Sequence, residues 1–187
     1  MYPPHNKKII MATPLLIAAQ HGRLDVVKLL LANGADPSYA GDHGFAPVFI
    51  AARNGHLDVI EALLANGADP NQAMTTDGST PVFIAAQKGH LDVVTALLAN
   101  DADPKQARTT DGTTPVFIAA QNGHLHVVKL LLANGADPNQ ATTDDGSTPL
   151  CIAALKGHAE IVRYLREHGA NLEASDQRGY YPLHLAV

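Results

Sequence analysis

The chain has 187 residues, 46% of them hydrophobic and 17% charged, with a formal net charge of -5. That composition supports a packed core, while the acidic balance and 13 scattered lysines and arginines exclude the basic face of a nucleic-acid binder. Cys151 is the one cysteine, which excludes a disulfide framework or a thiolate metal site within the chain and implies a reducing, cytoplasmic compartment.

Residues 1–11 read as a lead-in, extended around Pro3 and Pro4. Lys7 and Lys8 ahead of Ile9 to Ala19 imitate the charged and apolar regions of a signal peptide. Yet Thr13 to Ala19, TPLLIAA, returns later as TPVFIAA, so a structural repeat accounts for it. A first helix should start at Thr13-Pro14, where Thr accepts from an orphan backbone N–H and Pro gives up a donor that has no partner. Leu15 to Gln20 continue it and Gly22 breaks it. Leu24 to Ala32 form a second helix, with Leu24, Val27, Leu30 and Leu31 on one stripe. Asn33-Gly34 ends that helix, and an arm leads on to a turn near Gly44.

The same order then recurs. Pro14, Pro47, Pro81, Pro115, Pro149 and Pro182 follow one another at 33, 34, 34, 34 and 33 residues. A fixed period of this size signals a stacked array in residues 12–187, with repeats near 12–40, 41–74, 75–108, 109–142 and 143–174 and a partial one at 175–187. Repeat two reads Phe45-Ala46-Pro47 and so loses its cap, at about 1 kcal/mol of helix stability. Asp101 stands where the other repeats have Gly34, Gly67, Gly135 and Gly169; a positive φ there would make it a weak point. Repeat six stops at Val187 inside its expected first helix, which suggests a piece of a longer polypeptide. No run approaches the roughly 20 apolar residues that span a bilayer.

TPLLIAAQHGRLDVVKLLLANGADP, TPVFIAAQKGHLDVV and GANLEASDQRGYYPLHLAV together resemble ankyrin repeats, over Ala12 to Val187. Thr-Pro at the helix start, Ala-Ala within it, Gly-His between helices and Gly-Ala-Asp after the second recur in register. The resemblance implies an all-α solenoid of stacked antiparallel helix pairs joined by β-hairpin-like loops, with a concave binding side. The chain departs from the family signature in the first-helix histidine, present only as His184; Leu16, Phe49, Phe83, Phe117 and Cys151 stand there in the earlier copies.

Catalytic and metal chemistry find little support. His56, His90, His124 and His158 recur once per repeat, too widely spaced to share one zinc, and are expected to bond backbone. Thr-Thr-Asp-Gly at Thr75 to Gly78 and Thr109 to Gly112, and Thr143-Asp144-Asp145-Gly146, are turn chemistry and lack the ligand pattern of a calcium loop. Cys151 has no His–Asp constellation around it, and the glycines lie one period apart, which builds no phosphate loop. No enzyme activity and no cofactor are expected.

Binding in the family uses hairpin tips and the ends of first helices. The resemblance carries this onto tips at His43 and Phe45, Asp77 and Ser79, Asp111 and Thr113, Asp145 and Ser147, and Arg178 and Tyr180. The corresponding helix ends are Gln20 and His21, Arg53 and Asn54, Gln87 and Lys88, Gln121 and Asn122, and Leu155 and Lys156. Asp77, Asp111 and Asp145 would line an acidic edge suited to a basic stripe on a partner. The row Phe49, Phe83 and Phe117 has two readings, packing between repeats or a partly exposed apolar strip for a partner's segment. The expected function is a non-catalytic, monomeric module that binds a protein and neither nucleic acid nor membrane. Alternatives are a substrate-docking or targeting domain of a longer multidomain enzyme or of a secreted effector acting in a host cytosol. A third reading is a spacer or a modification target, since Asn71 and Asn139 sit where ankyrin asparagines are sometimes hydroxylated.

Overall fold

Helices of seven to nine residues are marginal in isolation, so in this chain each depends on its neighbours. A computed structural model describes residues 13–41 and 44–174. Its helices come in five pairs: α1 (Pro14–Gln20) with α2 (Leu24–Ala32), α3 (Pro47–Asn54) with α4 (Leu57–Ala65), and α5 (Pro81–Lys88) with α6 (Leu91–Leu98). α7 (Pro115–Gln121) with α8 (Leu125–Ala133), and α9 (Pro149–Leu155) with α10 (Ala159–Glu167), complete the row. The lead-in and the partial sixth repeat lie outside the described residues.

Local chemistry sets the helix starts. The hydroxyls of Thr13, Thr80, Thr114 and Thr148 accept from the amides of Leu16, Phe83, Phe117 and Cys151 at 3.2, 3.2, 3.2 and 3.3 Å. Ala46 makes no such bond; beside it the Phe45 ring meets Phe49 edge-on, with centroids 5.8 Å apart. The first helices of repeats two to five bury every residue from proline to the second alanine, as in α5, where Pro81 to Ala86 are all buried. By contrast α1, at the end of the row, buries only Leu15, Ala18 and Ala19. Paired alanines let neighbouring first helices approach closely, and they pack more tightly on one another than the second helices do. The row therefore curves with the first helices on its inner side. One continuous core runs from Leu15 to Ala170.

No strand is assigned among the described residues, but the connecting loops close like hairpins. Met74, Arg108 and Thr142 donate their amides to the carbonyls of Ser79, Thr113 and Ser147 at 2.8, 2.9 and 3.0 Å. Successive tips are tied as well: Thr109 N–H reaches Asp77 O, and Thr143 N–H reaches Asp111 O, both at 2.8 Å. Asp101 does take a positive φ, 65°, the one non-glycine to do so among the described residues. The sequence expectation of strain at this exit is met by the geometry it required.

Candidate functional site

The inner side of the row is built from the hairpins and the C-terminal ends of the first helices. At those ends Gln20, His21, Asn54, Lys88, Asn122, Leu155 and Lys156 are exposed, and Arg53, Gln87 and Gln121 are half-buried. Backbone holds this surface in place. His56, His90, His124 and His158 place Nε2 at 3.1, 3.3, 3.1 and 3.1 Å from the carbonyls of Gln20, Arg53, Gln87 and Gln121, each in the preceding repeat. Each ring also lies against the preceding inter-helix glycine. A Cβ on Gly55 would stand 2.8 Å from the His90 ring, and one on Gly89 would stand 2.6 Å from His124. Glycine is required there twice over, for positive φ and for room. The recurring histidines are thus inter-repeat struts. Among the described residues no group of three or more His, Cys, Asp or Glu is placed to hold a metal ion.

The hairpin aspartates Asp77, Asp111 and Asp145 are half-buried, and each is bonded within its own hairpin. Asp77 accepts from Ser79 N–H at 3.0 Å and from its hydroxyl at 2.9 Å. Asp145 accepts from the Thr142 hydroxyl at 2.8 Å and from Ser147 N–H at 3.0 Å. Asp111 accepts from Thr113 N–H at 3.0 Å and forms a two-pronged ion pair with Arg108. That guanidinium, helped by the Thr113 bonds against the cost of burial, pulls the Asp111 carboxyl down to about 2, and the carboxylate in turn raises Arg108 above its ordinary value. The middle acid of the row is therefore neutralised. Arg108, unremarked in the sequence, is the residue responsible; the signal was the changing column Met74, Arg108, Thr142 just before each Thr-Asp turn.

A partly exposed aromatic strip does not form either. Phe49 and Phe83 are 2% exposed and Phe117 is 7% exposed, because each ring packs between repeats. Half-buried Phe45 lies under the Arg53 guanidinium at 5.9 Å, and Arg108 covers Phe83 at 5.4 Å. Among the described residues no arginine or lysine covers Phe117 in this way. It lies instead at the base of a cavity of about 210 Å³ between the fourth and fifth hairpins and α7 and α9. Leu155, 54% exposed, stands on one wall, in a place where Gln20, Arg53, Gln87 and Gln121 are polar. Asp144 lines the same cavity and is exposed. The sequence placed Leu155 at a helix end and Asp144 in a turn; Asp144 is the fifth repeat's departure from Thr76 and Thr110. His43, Arg178 and Tyr180 lie outside the described residues.

Cys151 is buried in the aromatic position, with Sγ 3.3 Å from Ala174 O. On the opposite loops, Asn71 donates to Asp101 O at 2.9 Å and accepts from Asp103 N–H at 2.7 Å. Asn139 does the same to Gly169 O and Asn171 N–H, at 2.9 and 2.8 Å. Both amides clamp one repeat to the next. No helix among the described residues is long and apolar enough to cross a membrane.

A comparison with curated proteins finds no match. The family model for ankyrin repeats matches in three copies, at residues 4–74, 48–142 and 135–187, and so covers nearly all of the chain. Ankyrin repeats generally act as protein–protein interaction modules and are typically non-catalytic. With paired helices, hairpin-like loops and this match in agreement, the chain belongs to the ankyrin repeat family.

Proposed function

We propose that this array is a non-catalytic module that grips a protein partner in the groove between its hairpins and first-helix ends, around repeats three to five. One observation carries the reading: the cavity of about 210 Å³ beside an exposed Leu155, at the end of a helix whose preceding residues are buried. A solvent-facing leucine beside a cavity is apolar area a partner can cover, and such covered spots supply most of an interface's energy. Along the same row of first-helix ends, Lys88, Asn122 and Lys156 are exposed polar side chains that a partner must match.

Affinity capture from the native cell tests the reading with two sets of variants. The groove set combines Lys88→Glu, Asn122→Asp and Leu155→Asp. The outer set changes Lys28, Glu61 and Lys129, which are exposed on the second helices. A partner lost with the groove set and kept with the outer set supports the proposal. A partner that survives the groove set, in an array that still melts cooperatively, overturns it.

A further inference from the structure

The fourth and fifth repeats carry the same hairpin with one side chain shortened. Arg108 and Thr142 hold equal places: each donates its amide across its hairpin, and each bonds the aspartate three residues on. Arg108 Nε reaches Asp111 Oδ1 at 3.0 Å, and the Thr142 hydroxyl reaches Asp145 Oδ1 at 2.8 Å. The two aspartates are held alike, each accepting from the amide two residues on at 3.0 Å. Beyond that point the repeats differ. Arg108 continues over the face of Phe83, whereas Thr142 stops short of Phe117. The cavity lies where the longer side chain would run, and Phe117 is correspondingly more exposed than Phe83.

We infer that this cavity is a receptor for an arginine side chain of the partner, which takes at Phe117 the place that Arg108 takes at Phe83. The inference rests on the groove reading above and names the chemistry the groove selects. A guanidinium is the group the chain itself puts in the preceding slot, between an aromatic face and a carboxylate. Its planar cation stacks on a ring and bonds an acid at its edge, which an ammonium does less well. The charge fits. Asp144, exposed at the rim, replaces the neutral Thr110 of the previous repeat. Among the described residues lining the cavity, Arg108 is the one cation, and Asp111 already holds it. Asp145 keeps its bonds to Thr142 and Ser147 throughout; the entering group adds to Asp144 and to the ring. The arginine's aliphatic stem then lies along Ile152 and the exposed side of Leu155.

The test uses the full chain and a capped alanine peptide with one central arginine, beside its citrulline and lysine counterparts, followed by NMR. The arginine peptide should shift Phe117, Ile152 and Leu155 signals saturably, and citrulline, equal in shape but neutral, should bind at least about tenfold more weakly. Thr142→Arg fills the slot from within, as in the preceding repeat, and should remove the response. Arg108→Thr should open a second slot and bring Phe83 signals into the titration. No saturable shift with the arginine peptide, equal binding of citrulline, or unchanged binding by Thr142→Arg overturns the inference. Should the cellular partner be lost with the groove set yet bind Thr142→Arg as before, the groove reading stands and the arginine slot falls.

Discussion

The junction between repeats two and three and that between repeats three and four use almost the same helices, yet they are fastened differently. At the first, Asn71 clamps the exit loop of repeat three through Asp101 O and Asp103 N–H. At the second, Lys105 stands in the asparagine's place, so that clamp is missing, although the strut from His124 and the tie from Thr109 to Asp77 are kept. The junction of repeats four and five has the clamp again, through Asn139. Repeat three therefore leaves through a loop that is strained at Asp101 and unclamped on its C-terminal side. In a solenoid, stability is a sum of repeat and interface terms, so a difference confined to one interface decides where the row separates first.

The hardest blow to this arrangement is Gly89→Ala, which forces a side chain into the left-handed region and into the His124 ring. It should cost about 2–3 kcal/mol. Hydrogen exchange should show repeats four and five protected independently of repeats one to three; uniform loss of protection would mean that the unclamped junction is no weaker than the others. Next in size, Asn71→Lys recasts the clamped junction as a copy of the unclamped one. Losing two hydrogen bonds at a half-buried site should cost about 1–2 kcal/mol, read as a lower urea midpoint. An unchanged midpoint would remove the clamp from the account.

The opposite change sharpens the comparison. Asp101→Gly with Lys105→Asn should raise stability by about 1 kcal/mol, since left-handed strain is relieved and a clamp is installed, while added glycine entropy takes part of the gain back. The smallest effect is electrostatic and lies on the groove side of the same junction. Asp111 has a folded value of about 2 against an ordinary 3.8, so its contribution is complete above pH 3.8 and is lost as pH falls through 2. For a pair this near the surface that contribution is on the order of 1 kcal/mol or less. Asp111→Asn should flatten the loss of urea stability across that window, and an acid limb of unchanged steepness would show that the pair contributes nothing there.

Much of the fold could be read from the chain because its determinants are local and repeated. Thr-Pro starts, Gly-His breaks and the apolar stripe of Leu24, Val27, Leu30 and Leu31 act within a few residues of themselves, and α1 and α2 run where those signals place them. The groove was legible only in part. Helix-end positions such as Lys88, Asn122 and Leu155 face solvent as their register implies. The phenylalanine row reads differently in three dimensions because its covering groups come from the next repeat, while each hairpin aspartate is bonded within its own turn by a neighbour that changes from copy to copy. Asp111 is bound by Arg108, and Phe83 is covered by that same arginine, an arrangement that repeat periodicity by itself does not disclose.

By itself, then, the sequence determined the period, the helix starts and breaks, and the family, since each follows from short-range hydrogen bonding and hydrophobic spacing recurring in register. Tertiary structure alone decided which rings are covered and what the loop asparagines clamp. Those outcomes depend on groups brought together across repeat boundaries, in the clamps at separations of 30 residues that no local pattern encodes.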